Sequence, residues 1–198
     1  EKCKDKIGDK WEPFANFWRT TQLEYTWLRS LMGRHKDFWG ITEDSLDKSM
    51  KAFNIDSAMK NELLNLYKIL SPYKEVPETL KALKEKKIKL AILSNGTPSL
   101  LNELIKSNNL NNLFDDIFSI EEVGVYKPDS KVYDIPVKKY KIKNDEIAFL
   151  SANTWDVSGG GNYGYQAIWV NRNNNIFDNL DFKPKLEIKN LSGLLSKL

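Results

Sequence analysis

Up to about Lys74, apolar positions recur only at helical spacing. Phe14, Phe17, Trp18, Thr21, Tyr25 and Leu28 share one helix face, because residues three and four apart are neighbours there. Leu46, Met50 and Phe53 repeat the pattern after a start at Thr42, and Met59, Leu63, Leu66, Tyr67 and Leu70 predict a third helix after Asp56. Ser71-Pro72 ends it, since proline disfavours helical geometry at the residue before it. From Val76 onward helix and strand alternate. Pro77 suits a first helical position, with Leu80 and Leu83 facing inward. Residues 88–93 read as a strand, and a helix burying Leu100, Leu101, Leu104 and Ile105 follows. Residues 116–119, 147–150 and 167–170 are short apolar strands, and 130–140 is a helix disturbed by Pro136. Strands alternating with helices predict a parallel sheet covered on both faces. The pattern therefore predicts an α/β protein, with a helical cap over residues 1–74 placed before an α/β core over residues 75–198.

Composition narrows the function classes. A chain of 198 residues with 41% hydrophobic content can bury a real core. No apolar run reaches the length of a bilayer-spanning helix, so no membrane partner is expected. The net charge of +3 comes from lysines scattered among acids. That is a solvated surface rather than the clustered basic face that nucleic acid needs. Cys3 is the single cysteine, which leaves no internal disulfide or cysteine-based zinc site and fits a reducing compartment such as the cytoplasm. His35, the single histidine, lies beside Lys36 and Asp37 and reads as a surface residue rather than a catalytic base. Chemistry must then rest on carboxylates, lysine, arginine and hydroxyls. Glu1-Lys2-Cys3-Lys4 shows neither an initiator methionine nor a signal pattern and reads as a cut end.

In open α/β sheets, sites lie beyond the carboxyl ends of the strands. Polar residues gather at those ends. Ser94-Asn95-Gly96 joins a hydroxyl, an amide and a flexible backbone to a helix start, whose N–H groups can hold an anion; read alone it is also an ordinary turn. Ser151-Ala152-Asn153-Thr154-Trp155-Asp156 follows another strand, and Asp156 alone reads equally as a helix cap. Lys127, held in a short loop by Pro128 and Asp129, is either a charge stabiliser or a surface lysine beside a helix start.

Taken in order, these motifs resemble those of the haloacid dehalogenase superfamily. Ser94-Asn95 matches its second motif, Lys127-Pro128-Asp129 its third and Ser151-x-Asn153-x-x-Asp156 its fourth. Phosphatases of that superfamily usually carry a Gly-Asp and a further Asp in the fourth motif, because magnesium needs oxygen anions. The neutral Asn153 is instead similar to the metal-independent L-2-haloacid dehalogenases, as is the arginine-bearing stretch from Phe17 to Leu31. The resemblance runs from about Cys3 to the C-terminus. It implies a Rossmann-like core with a helical cap, no metal or cofactor, a small 2-haloacid as substrate, halide as product and a possible homodimer. It also implies roles. Arg19 attracts the anion and stabilises departing halide, while Ser94, Asn95 and Gly96 hold the substrate carboxylate, with Thr20 also at the substrate. Lys127 balances the nucleophile's charge, Tyr133 stands near the site, and Asp156 with Ser151 and Asn153 positions water. Leu23, Phe38 and Trp155 form an apolar wall.

Two departures stand out. The resemblance places the attacking aspartate in an Asp-x-x-Gly-Thr pattern at the end of a strand before the cap, and nothing in this sequence fits it. Gly96-Thr97 belongs to the second motif. The sequence as it stands is expected to bind an anion without forming an enzyme ester, and to leave two strand edges unpaired. A magnesium phosphatase and a non-catalytic relic that binds small carboxylates are the rival readings. The second departure is Ser158-Gly159-Gly160-Gly161, where the family has one glycine. Each glycine costs a helix about 1 kcal/mol relative to alanine, so a looser placement of Asp156 is expected.

Overall fold

The computed structural model describes residues 2–197; Glu1, where the sequence reading sets a cut end, and Leu198 lie outside the described residues. The first part is helical: α1 (Lys2–Ile7), α2 (Trp11–Leu31), α3 (Phe38–Phe53) and α4 (Lys60–Asn65). Phe14 and Trp18 of α2 pack with Leu46 and Met50 of α3 and Leu63 and Leu64 of α4 around one apolar centre. The start of α3 lies upstream of the expected Thr42. The Asp37 carboxylate accepts the Gly40 N–H at 2.7 Å and caps the helix there, leaving Thr42 buried inside it. The expected third helix is also broken up, with α4 flanked by 3₁₀ turns. Leu70 is 54% exposed and does not join the buried stripe.

The second part alternates as α5 (Val76–Glu85), β1 (Ala91–Ser94), α6 (Pro98–Ser107), β2 (Asp116–Ser119), α7 (Ser130–Tyr140), β3 (Ala148–Ser151), α8 (Thr154–Tyr163), β4 (Gln166–Val170) and β5 (Leu186–Ile188). Strand β1 pairs in parallel with β2, and β4 pairs in parallel with β3 and β5. Strand β1 starts at Ala91, later than residue 88. The Leu90 N–H goes to the Asp115 carboxylate at 2.8 Å, so the preceding residues lie outside the ladder. Helix α7 runs through the buried Pro136 unbroken, where a disturbance was expected. The three residues of β5 gave no sequence signal. No helix among the described residues is long and apolar enough to cross a membrane.

The strands form two parallel blocks, and the outer strands of each, β1 and β2 in one and β3 and β5 in the other, carry a ladder on one side only among the described residues. Apolar clusters bridge the blocks. Leu93 of β1 packs with Tyr133, Phe149 and Tyr165, while Ile88 and Leu90 pack with Leu150 and Ile168. Phe149 and Leu150 are consecutive in β3, so these clusters lie on opposite faces. The blocks are thus one layered body. On β1 and β3, Ala91 and Ala148 remain exposed and Ile92 half-buried, unlike the buried apolar runs usual in a parallel sheet.

Candidate active site

The carboxyl ends of β1 and β3 carry the polar residues singled out above. After β2 a 3₁₀ turn and Gly124, at a φ of +65° that favours glycine, lead into Lys127 and a cis bond to Pro128. Asp129 then caps α7, its carboxylate accepting the Lys131 N–H at 2.8 Å. This path carries Lys127 inward. Lys127 and Asp156 are each 5% exposed, and Lys127 Nζ lies 3.1 Å from Asp156 Oδ2. The other oxygen, Oδ1, accepts the Tyr133 hydroxyl at 2.8 Å. Neither a surface lysine nor a helix-capping carboxylate describes this pair.

Electrostatics follow from burial. Loss of water pulls the Lys127 ammonium below its ordinary pKa, and the adjoining Asp156 carboxylate offsets only part of that. The Phe149 ring, its centroid 4.8 Å from Lys127 Nζ, gives the cation a second partner. Burial, then the charge of Asp156, drives the Tyr133 phenol far above its ordinary range. The phenol therefore stays protonated and serves as a fixed donor. Asp156 is held at both oxygens.

The triple glycine explains that tightness and reverses the expected loosening. A Cβ on Gly159 would stand 2.5 Å from Tyr133 Oη and 2.7 Å from Pro128 Cβ; one on Gly160 would stand 2.6 Å from the Phe149 ring. A Cβ on Gly161 would overlap the Phe182 ring. The glycines let α8 press against its neighbours, and that contact fixes Asp156.

Asn153 occupies the N-cap position of α8 but makes no side-chain cap bond. Its Oδ1 instead accepts from Arg19 Nη2 at 2.8 Å, and its N–H donates to Ser151 Oγ at 3.2 Å. At the end of β1, Ser94 Oγ accepts the Gly96 N–H at 3.0 Å, so an incoming anion competes with that hydroxyl for the donor. Asn95 Oδ1 accepts the Lys127 N–H at 3.4 Å, linking this loop to the ion pair.

Helix α2 supplies the roof. Arg19, Leu23 and Trp27 are spaced by four and so line one ridge. Trp27 Nε1 donates to the Lys127 carbonyl at 3.2 Å, and its ring meets Trp155 edge-on with centroids 5.6 Å apart. Further along, Ser30 Oγ accepts the Tyr126 N–H at 3.0 Å. Trp27 was missed in the sequence reading, although its spacing from Arg19 and Leu23 was a usable signal. Of the other predicted residues, Phe38 packs with Ile41, Phe118 and Tyr126, and Thr20 is exposed. His35 is at the surface, as expected, but pairs with the Glu121 carboxylate at 2.9 Å and so joins the helical part to the turn after β2.

The arrangement puts a buried cation, a clamped carboxylate and the exposed Arg19 at the strand ends. It suits the attraction and charge stabilisation of a small anion. Among the described residues no group of three or more His, Cys, Asp or Glu side chains is placed to hold a metal ion.

Known proteins give this geometry a context. The sequence profile of the haloacid dehalogenase-like hydrolases matches residues 16–170. A (S)-2-haloacid dehalogenase of Pseudomonas putida is 36% identical over 194 residues, 97% of this chain and 86% of the relative. (S)-2-haloacid dehalogenase 4A of Burkholderia cepacia is 33% identical over 96% of this chain and 83% of its own. A dehalogenase crystal structure superposes with a TM-score of 0.96 at 32% identity, covering 100% of this chain and 88% of that one. The L-2-haloacid dehalogenase of Xanthobacter autotrophicus, with chloropropionic acid covalently bound, gives 0.89 at 27% identity, over 98% of this chain and 88% of that one. With the motifs in order and a profile spanning most of its length, this chain belongs to the haloacid dehalogenase-like hydrolase family.

Proposed function

We propose that this chain forms the substrate-binding body of a hydrolase that removes halide from short L-2-haloacids, with residues 1–74 as the cap and 75–198 as the core. The observation that carries the reading is the buried Lys127–Asp156 pair, clamped by Tyr133 and roofed by the Arg19–Asn153 bond. The relatives' names support the substrate class.

In this reading a carboxylate oxygen attacks C2 of the haloacid, and the carbon–halogen bond breaks with its electron pair leaving on the halide. Arg19 draws in the substrate and stabilises that halide, while Ser94 and the Asn95-Gly96 backbone hold the substrate carboxylate. Lys127 balances the attacking carboxylate. Water, positioned by Asp156, Ser151 and Asn153, then attacks the ester carbonyl and gives up a proton. The ester bond breaks, one water proton passes to the departing alkoxide oxygen and the other to solvent, and a 2-hydroxy acid of inverted configuration and the carboxylate emerge. Trp155 and Leu23 shield the reacting carbon. Among the described residues, Asp156 is the one buried carboxylate, and both its oxygens are engaged. Asp156 is therefore not the attacking group in this reading, and residues 2–197 alone are expected to bind without turnover.

Calorimetric titration and chloride assay of the 198-residue chain with L- and D-2-chloropropionate test this. The expected result is binding of the L-form, loss of that binding in Arg19→Ala, and no chloride release. Absence of binding, or hydrolysis of p-nitrophenyl phosphate with magnesium, overturns the substrate class. Chloride release from the chain itself overturns the exclusion of Asp156 as nucleophile.

A further inference from the structure

We propose that Trp27 is a specificity-determining residue that sets how long an alkyl chain the site accepts; this rests on the haloacid reading above. At 1.5 Å rise per residue, the backbones at Arg19 and Trp27 stand about 12 Å apart, with Leu23 midway. Each end is tied to a different core loop. Arg19 binds Asn153 past β3, while Trp27 binds the Lys127 carbonyl past β2. Leu23 is thereby flanked by a polar tie at Arg19 and an apolar ring at Trp27.

The apolar end is a corner of two indoles. Trp27 and Trp155 meet at an interplanar angle of 82°, and both are half-buried. Trp155 lies two residues beyond Asn153 and one before Asp156, so the corner is next to the charged centre. Trp27 is not a loosely packed ring that yields to a longer substrate. Its Nε1–H donates to the backbone of the very residue that carries the buried ammonium. Displacing Trp27 breaks that bond and disturbs Lys127, so extra methylenes are rejected by shape and through the charge pair together.

Calorimetry with unreactive straight-chain carboxylates separates this role from a purely structural latch, because it needs no turnover. The full 198-residue chain is titrated with propanoate and hexanoate, and thermal melts are recorded for every variant. The wild type is expected to favour propanoate by about tenfold or more. Trp27→Ala is expected to erase or reverse that ratio. Trp27→Phe, which keeps a ring but no donor, is expected to weaken both acids while keeping most of the ratio. Should Trp27→Ala fail to fold, Trp27→Leu takes its place with the same expectation. An unchanged ratio in a folded Ala or Leu variant, or a wild type indifferent to length, overturns the proposal and leaves the haloacid reading standing. A wild type that binds neither these acids nor L-2-chloropropionate overturns both.

Discussion

Separating the two members of the Lys127–Asp156 pair should have unequal consequences. Each residue is 5% exposed, and their charged atoms stand 3.1 Å apart. Removing one member of a buried ion pair typically costs about 3–5 kcal/mol, because the survivor keeps a charge it cannot solvate. In Lys127→Met the carboxylate retains the Tyr133 hydroxyl, so a loss near the lower limit, about 3 kcal/mol, is expected at neutral pH. Asp156→Asn leaves the ammonium, which has another way out. Burial already depresses its pKa, and Asp156 is the partner that opposes the depression. Without it, Lys127 sheds its proton at lower pH than in the wild type. The sign follows from linkage. The unfolded chain binds this proton up to its ordinary value of 10.5 while the folded variant has lost it, so stability rises with pH across that window. The window is wider in the variant, and its deficit relative to wild type shrinks as pH rises from neutral. Replacing both charges, as Lys127→Met with Asp156→Leu, should return stability to within about 1 kcal/mol of wild type, since apolar substitutes for buried pairs are often neutral. Urea unfolding followed by far-ultraviolet circular dichroism at neutral and alkaline pH measures the wild type and these three variants. A Lys127→Met loss below about 1 kcal/mol, or an Asp156→Asn deficit flat with pH, would show the electrostatic account to be wrong.

Two further outcomes can be checked with the same equipment. Gly159→Ala should lose about 1–3 kcal/mol through overpacking against Tyr133 and Pro128, whereas Gly161→Ala meets one side chain, Phe182, that can swing aside, and should stay within about 1 kcal/mol because alanine improves helix propensity; thermal melts giving the reverse order would sink the packing explanation. Acid should unfold the protein through carboxylates held below their ordinary values: Asp115 by Lys84, Asp134 by Lys138, and Glu187 by Asn171 and Lys189. Their stabilisation is present above the ordinary values and is lost as pH falls through the lowered ones, so the urea midpoint should decline from about pH 5 toward pH 3, modestly because these groups are solvent-facing; Lys84→Met should flatten the slope, and a midpoint insensitive to acid would contradict it.

The alternation of helix and strand was legible because it depends on local spacing, and the order of motifs along the strand ends followed from it. Local signals failed where a distant residue decides. Strand β1 was read as starting three residues early because nothing in residues 88–90 reveals that Asp115 takes the Leu90 N–H. The start of α3 was misplaced because both Asp37 and Thr42 are acceptable caps, and the choice depends on how α3 packs on α2. The glycine run was legible as a helix weakness but not as a packing device, since Pro128, Tyr133, Phe149 and Phe182 come from other parts of the chain. The burial of Lys127 was likewise invisible, for a lysine in a short loop between Tyr126 and Pro128 carries no local sign of which way it points. Trp27 is the instructive miss. Its helical phase was available, but an apolar residue on a cap stripe reads as core until its partners are known.

Helix α8 has a consequence for the order in which the protein becomes competent. A ten-residue helix with three consecutive glycines has little helicity of its own. What holds it are rings from α7, β3 and the segment between β4 and β5, together with a hydrogen bond from Thr154 to Asp178 of that same segment. Asp156 therefore reaches its clamped position only after those remote pieces have docked. A nascent or partly unfolded chain presents Lys127 and Asp156 as separate, solvated charges, and the ion pair is assembled by completion of the fold rather than by any local event.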